Sequence, residues 1–211
     1  HLLPGSSLMQ CSVRGVCLLF LLIVGNLAAH AYVESEYFIQ GHITYRVIDA
    51  STSSPKLAVY NVRGVSGKVI IPATVFDGID THFTVTQIGG AGDNDPFRWD
   101  SGITEVVLPN TITTLACYCF AYSGITSLRL PASVTTIDPR ANVLLDRCYK
   151  LKEILVDAGN TKFISDDGVL YTKGHEELIC VPFNKDFSSK GNCFTINSNT
   201  KKVHVDALQE T

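Results

Sequence analysis

Apolar residues recur along the middle of the chain in a pattern whose period is 22 residues. When the segment Ile103–Gly124 is laid over the segment that starts at Ile125, the two agree at their apolar positions and at one proline. The matched pairs are Ile103 with Ile125, Val106 with Leu128, Leu108 with Leu130, Pro109 with Pro131, Ile112 with Val134, and Leu115 with Ile137. A period of this length is typical of a solenoid, in which each coil stacks on the one before it.

Further copies of the pattern lie on both sides of this pair. A third copy starts at Leu151, after an expansion of four residues. Upstream, Val69–Pro72 and Val85–Gly89 read as a degenerate first copy, which is disrupted by an insert at residues 90–100. Downstream, Phe194–Leu208 reads as the start of another copy. We therefore expect the repeat domain to cover residues 67–211, and to be truncated at its C-terminus because no closing cap is visible.

The spacing within each copy predicts which side chains point inward. The first, fourth and sixth residues of a copy are apolar, and the last two of these are separated by the two-residue step of a β-strand. The proline that follows ends strand pairing and turns the chain. The second half of each copy adds a further inward set. The predicted core residues are Ile103, Val106, Leu108, Ile112, Leu115, Cys119, Phe120, Ile125, Leu128, Leu130, Val134, Ile137, Ala141, Leu151, Ile154 and Val156.

Residues 37–64 have a different pattern. Ile43–Ile48 and Leu57–Val62 alternate between apolar and polar residues as strands do, and the cluster Ser51–Pro55 between them is typical of a turn. The first coil of a solenoid would otherwise expose its apolar face and a sheet edge. We therefore predict an N-terminal β-hairpin cap, within a segment that spans residues 32–66.

The first 31 residues have the organisation of a secretory signal peptide. Arg14 precedes an apolar run at Val16–Val24, and Ala29-His30-Ala31 follows as a cleavage signal. The run is too short to span a bilayer comfortably. Met9 is the only methionine, so we expect translation to start there. The mature chain is then predicted to begin near Tyr32, without a segment that inserts into the membrane.

Charge and cysteine content narrow the functional classes. The chain has 17 Lys and Arg residues against 20 Asp and Glu residues, with no basic run, which argues against nucleic acid as a partner. Five cysteines follow the signal segment, and their odd number and irregular spacing do not form a disulfide framework. Cys180 with Cys193 is the better candidate for a single disulfide, which the sequence leaves open.

No pattern of catalytic or metal-binding residues stands out. Cys117-Tyr118-Cys119 lacks both the spacer of a zinc pair and a second pair of ligands. Asp93, Asp95 and Asp100 are close enough in sequence to surround calcium, but they lack the spacing of a calcium-binding loop and fit a solvated loop better. We therefore predict no catalytic residue, no cofactor and no bound metal, and expect that the protein is not an enzyme.

The repeat resembles that of the BspA-like leucine-rich-repeat family. The strand and proline of Leu128–Pro131, the step Gln87-Ile88-Gly89, and Cys148 before Leu151 follow the family's unit, and Asp166–Tyr171 is similar to its DGVLY hairpin. Asn142 departs from it, because phenylalanine is usual there. The resemblance implies a mainly β fold, a leucine-rich-repeat solenoid with a parallel sheet on one face. It also implies a secreted or cell-surface protein of a bacterium or protist.

The outward positions of the strands are the candidate binding surface. They alternate with the inward positions and form a mixed polar and apolar surface that suits a protein partner, such as a host or matrix protein. An adhesion-type binding protein is the leading hypothesis. The alternatives are the non-catalytic N-terminal part of a larger secreted enzyme and a structural spacer. The candidate residues are Glu105, Val107, Ser127, Arg129, Glu153 and Leu155.

Overall fold

A computed structural model describes residues 31–90, 95–116, 118–138, 145–205 and 207–208. The predicted signal peptide and its start at Met9 lie outside the described residues, apart from Ala31. The predicted core residue Ala141 and the exceptional Asn142 also lie outside them. Within the described ranges, no helix has the length and apolar character needed to span a membrane.

The N-terminal part is an antiparallel meander of three strands: β1 (Tyr37–Gln40), β2 (Ile43–Asp49) and β3 (Lys56–Val62). Strands β2 and β3 form the predicted hairpin cap, and β1 is an edge strand that the sequence pattern did not indicate. Ile43, Tyr45 and Val47 of β2 are buried, whereas the residues between them are half-buried. The buried face of the hairpin therefore covers the end of the solenoid core.

The repeats fold into coils with two rows of parallel strands. One row contains β4 and β7 as a pair and β9 and β11 as a second pair, and Thr126 N donates to Thr104 O (3.1 Å) where β7 and β9 lie side by side. The other row continues the cap, in the order β3, β6, β8 and β10, while β5 pairs with β6 in antiparallel orientation. The bounds are β4 (Gly67–Ile70), β5 (Thr74–Phe76), β6 (His82–Ile88), β7 (Ile103–Val107), β8 (Thr114–Leu115), β9 (Ser127–Leu130), β10 (Thr136–Ile137) and β11 (Glu153–Val156).

These rows confirm the predicted fold class, and most of the predicted core residues are buried. Leu108, Ile137 and Val156 are the exceptions, because each is only half-buried at the margin of the core. Ile137 and Val156 belong to the last described parallel strand of their rows. The buried predicted residues are Ile103, Val106, Ile112, Leu115, Cys119, Phe120, Ile125, Leu128, Leu130, Val134, Leu151 and Ile154.

The described part of the expected insert at residues 90–100 belongs to the solenoid. Phe97 N donates to Cys119 O (3.1 Å) and Trp99 N donates to Ala121 O (3.2 Å). Phe97 is buried and stacks on Phe120, with ring centroids 5.2 Å apart. Residues 95–100 thus form the turn of the first coil and pack on the next one, whereas residues 91–94 of the expected insert lie outside the described residues. Phe97 and Phe120 place a buried aromatic ring at the same position in two successive coils, so the turns stack on each other.

The C-terminal part is a hairpin sheet with a core of its own. It contains β12 (Phe163–Asp166), β13 (Val169–Thr172), β14 (Glu177–Cys180) and β15 (Lys202–Val203), with a 3-10 turn at Ser188–Lys190. Asp167 and Gly168 have φ values of 48° and 76°, so they make the tight two-residue turn of the predicted DGVLY hairpin. The buried residues of this second core are Val169, Tyr171, Leu178, Val181 and Ala207.

A buried asparagine connects this sheet to the coils. Asn160 is 2% exposed, and its Nδ2 donates to Pro131 O (3.0 Å) and to Val134 O (2.9 Å). Its Oδ1 accepts from Lys162 N and Phe163 N, both at 2.8 Å. One side chain therefore satisfies four backbone groups at the junction, where neither a strand row nor a turn supplies partners.

Candidate functional site

The six residues predicted for the binding surface lie on β7, β9 and β11, in the first row of parallel strands. Ser127 pairs with Glu153 and Arg129 pairs with Leu155 in the register of β9 and β11. Because the strands are in register, side chains two residues apart form two columns that run across the sheet. We call this surface, together with Lys68 and Ile70 of β4, the ladder face.

Strand β4 extends the ladder face by one step that the sequence analysis missed. Lys68 pairs with Glu105 and Ile70 pairs with Val107 in the register of β4 and β7. Ile70 is 64% exposed, which makes it the most exposed apolar residue of the ladder face. The sequence contains a signal for this step, because Val69–Pro72 has the strand-and-proline pattern. The outward positions Lys68 and Ile70 follow from the alternation along that strand.

The two columns differ in chemical character. The column of Lys68, Glu105, Ser127 and Glu153 is polar, and the second column is mainly apolar. Glu105, Arg129 and Glu153 are exposed, whereas Val107, Ser127 and Leu155 are half-buried between their neighbours. The apolar column consists of Ile70, Val107 and Leu155, with Arg129 between the last two.

Ion pairs hold Lys68, Glu105 and Arg129 of the ladder face. Lys68 Nζ lies 2.8 Å from Glu105 Oε1, across the pair β4 and β7. Arg129 NH1 lies 2.9 Å from Asp157 Oδ1, just beyond the end of β11. Exposed pairs of this kind contribute little to stability, but they fix the positions of the charges that a partner would meet. Asp157 is the third residue of this surface that the sequence analysis missed, after Lys68 and Ile70.

The C-terminal hairpin closes one end of the ladder face. Ile154 N donates to Gly168 O (2.8 Å), and Ser165 Oγ donates to Ile154 O (2.6 Å). A Cβ atom added at Gly168 would lie 2.9 Å from Glu153 Cβ, so the tip of the hairpin contacts β11 closely. Strands β4, β7 and β9 therefore form the more accessible part of the face.

Cys148, Cys180 and Cys193 are free thiols. Cys119 and Cys148 are buried, Cys180 is half-buried and Cys193 is exposed. Cys180 and Cys193 do not form the disulfide that the sequence left open. Burial raises the pKa of Cys148 to about 11 and that of Cys180 to about 12, which keeps both thiols protonated and unreactive near neutral pH. Neither thiol has the electropositive surroundings that activate a cysteine nucleophile.

The acidic residues considered for calcium are engaged in other contacts. Asp95 Oδ2 forms an ion pair with Arg98 NH1 (2.9 Å), and Asp100 Oδ1 accepts from Gly102 N (3.0 Å). Asp93 lies outside the described residues. In the part of the chain that the structure describes, no group of three or more His, Cys, Asp or Glu residues could hold a metal ion.

Several solved structures of known proteins are similar to this chain. No family model matches the chain, and no curated protein matches it. The pneumococcal vaccine antigen PcpA is 17% identical, with a TM-score of 0.42, over 81% of this chain and 61% of that one. A leucine-rich-repeat protein from Eubacterium ventriosum is 18% identical, with a TM-score of 0.44, over 79% of this chain and 55% of that one.

A third similar structure is a leucine-rich cell-surface protein from Faecalibacterium prausnitzii. It is 14% identical, with a TM-score of 0.35, over 72% of this chain and 62% of that one. The chain spans about three fifths of the length of these three structures. The two rows of in-register parallel strands make the described chain a leucine-rich-repeat solenoid, and the solved structures similar to it include bacterial leucine-rich-repeat proteins.

Proposed function

We propose that the protein is a secreted or cell-surface, non-catalytic binding protein that attaches to a host or matrix protein through the ladder face. The observation that carries the proposal is the register of β4 with β7 and of β9 with β11, which aligns outward side chains into columns. A continuous surface of this kind is what repeat proteins use to bind extended partners. The name of the cell-surface protein from Faecalibacterium prausnitzii supports the proposed location.

The composition of the face fits a protein partner. Protein interfaces combine an apolar centre with a polar rim, and their strongest contacts come from apolar, aromatic and arginine side chains. Ile70 and Val107 supply apolar contact area, while Glu105 and Arg129 supply charges of both signs beside it. Charges of both signs favour a partner with a complementary pattern over a uniformly charged polymer.

The size of the face sets the expected affinity. Four strands of four or five residues, about 4.8 Å apart, cover a patch about 15 Å on each side. A standard protein interface buries about 800 Å² on each partner, which is several times this area. We therefore expect the described coils to bind one site with a Kd of about 1 μM or weaker.

The test is binding of the full chain to an array of purified host matrix proteins, followed by titration of any protein that binds. Ile70→Asp removes the most exposed residue of the apolar column, and Arg129→Glu reverses a charge and places it beside Asp157. Each variant should weaken binding at least tenfold. Lys173→Glu is the matched control, because Lys173 is an exposed residue of the turn after β13, off the ladder face.

The outcomes separate clearly. Selective, saturable binding that both ladder-face variants weaken and the control leaves unchanged supports the proposal. Binding that is unaffected by Ile70→Asp and by Arg129→Glu would place the contact elsewhere and reject the ladder face. If the folded chain binds none of the matrix proteins, adhesion to matrix is rejected.

A further inference from the structure

A stack of three side chains runs along the turns that precede β7, β9 and β11, with its two ends exposed and its middle member half-buried. Trp99 stacks on Tyr122, with ring centroids 3.7 Å apart, and the guanidinium of Arg147 lies 5.4 Å from the centroid of the Tyr122 ring. Trp99, Tyr122 and Arg147 have φ values of 63°, 58° and 51°. This left-handed conformation recurs in successive turns, so the three side chains leave the backbone in the same direction. We call these three residues with Arg98 the aromatic corner.

Arg98 makes the corner rigid. Its guanidinium lies 4.7 Å from the Tyr118 ring centroid, 5.4 Å from that of Trp99 and 5.9 Å from that of Tyr122. Its NH1 also pairs with Asp95 Oδ2 at 2.9 Å. Cation–π contacts and a short ion pair thus hold the indole in place before any ligand arrives, which lowers the entropic cost of binding.

One face of the Trp99 indole remains open. Tyr122 covers the opposite face, yet the residue is 64% exposed, so the remaining face and the ring edge account for that exposure. Trp99 lines a cavity of about 480 Å³ with polar residues from β3 and from its own turn. That volume lies within the range of about 300–1,000 Å³ of small-molecule sites. The polar residues of the lining are Asn61, Arg63, Asp95, Arg98 and Asp100.

The lining is rich in hydrogen-bonding groups and balanced in charge. Two arginines face two aspartates, so neither an anion nor a cation is favoured. Arg63 Nε donates to Asn61 Oδ1 (3.3 Å), and Asp100 Oδ1 accepts from Gly102 N (3.0 Å). These hydrogen bonds fix the side chains but use only part of their hydrogen-bonding capacity. The Asn61 amide NH₂, the terminal Arg63 nitrogens and the second Asp100 oxygen can still serve a ligand.

We propose that this cavity is a binding site for a neutral saccharide. A sugar ring has a face of C–H groups with slight positive charge, which matches the negative face of an indole. Its hydroxyl groups both donate and accept, which matches amide, guanidinium and carboxylate groups side by side. The saccharide ring stacks on the open face of Trp99 and so extends the stack of the aromatic corner by one ring. Its hydroxyl groups form hydrogen bonds with Asn61, Arg63 and Asp100.

Two other ligand classes fit less well. An aromatic side chain of a peptide would also stack on Trp99, but it would leave the charged lining without partners and pay for its desolvation. A polyanion would meet Asp95 and Asp100 as well as the two arginines. The site lies on the turns, apart from the strands of the ladder face, so it does not depend on the proposed adhesion function.

Trp99 is the only tryptophan in the chain, so its fluorescence reports on this site alone. The experiment titrates the full chain with neutral oligosaccharides of glucose, galactose, mannose and N-acetylhexosamine. We expect a saturable blue shift and an intensity change with one of these series, at a Kd below about 1 mM. Calorimetry with the same oligosaccharide should give Trp99→Ala and Arg63→Ala an affinity at least tenfold lower than that of the unaltered chain.

The controls make each outcome decisive. Trp99→Phe keeps an aromatic face and should retain measurable binding even if Trp99→Ala alters the turn. Tyr149→Ala removes an exposed aromatic residue from another turn and should leave the affinity unchanged. No saturable change with any neutral series, or undiminished binding by Trp99→Ala, would overturn the proposal. A preference for tryptophan- or phenylalanine-containing dipeptides over every saccharide would overturn it in favour of a protein ligand.

Discussion

Replacement of Asn160 by alanine should be among the most damaging single polar substitutions in this chain. The side chain is buried and makes four hydrogen bonds to backbone groups that lie on both sides of the junction between the coils and the hairpin sheet. A net contribution of about 0.5–1.5 kcal/mol for each bond gives a loss of about 4 kcal/mol in the free energy of unfolding. That is a large share of the total stability of about 5–15 kcal/mol that is usual for a domain.

The loss can be measured by urea and thermal denaturation of the full chain, followed by circular dichroism. A change of 1 kcal/mol shifts the Tm of a protein of this size by about 2–4 °C, so we expect a decrease of about 8–16 °C. Asn110→Ala is the matched control, because Asn110 is exposed beside Pro109. Its effect should stay within about 0.5 kcal/mol.

A second substitution separates the two halves of the hydrogen-bond set. Asn160→Asp keeps an acceptor for Lys162 N and Phe163 N, but at neutral pH it places a carboxylate oxygen against the carbonyl groups of Pro131 and Val134. It should therefore be at least as destabilising as the alanine variant at pH 7, and should recover stability as acid protonates the carboxyl group. If Asn160→Ala costs less than about 1 kcal/mol, the proposed role of these bonds is refuted.

Three further predictions concern the packing of the coils. Phe120→Ala should cost about 3–5 kcal/mol by denaturation, because it leaves a cavity beside the Phe97 ring; a smaller loss would mean that the layer collapses around the gap. Gly124→Ala should prevent stable folding, since its Cβ would collide with the backbone of the preceding coil, whereas Gly102→Ala should be tolerated; equal melting temperatures would contradict this. Native alkylation followed by peptide mass spectrometry should modify Cys193 much faster than Cys148, and equal rates would show that Cys148 is accessible.

The repeat pattern predicted the strands that build the ladder face. The match of Ile103 with Ile125 and of Val106 with Leu128 reflects a physical requirement, because each coil buries the same side-chain positions against its neighbours. Outward positions follow by alternation, so Glu105 and Arg129 could be placed before the structure was known. The binding role of these residues stays a prediction, since register shows how they are arranged and not what they contact.

The features that escaped the sequence analysis are those without periodicity. Asn160 bonds to carbonyl groups 26 and 29 residues away, and an isolated asparagine gives no sign of such distant partners. The turn at Trp99 was missed because a bulky aromatic residue is not expected at positive φ, where glycine and asparagine are usual. The neighbouring coil supports that conformation, because Tyr122 stacks on Trp99 and Ala121 O accepts from Trp99 N.

The in-register rows also bear on how genes for such proteins can change in length. Each parallel strand meets the next through the same kind of contact, as β9 meets β11. Unequal recombination between repeats can duplicate or remove one whole unit. Such a change lengthens or shortens the stack of coils by about 4.8 Å and creates no new type of junction. An insertion of a few residues at Gly124 would instead separate two coils that touch there, so length variation should be tolerated in whole units and selected against in fractions.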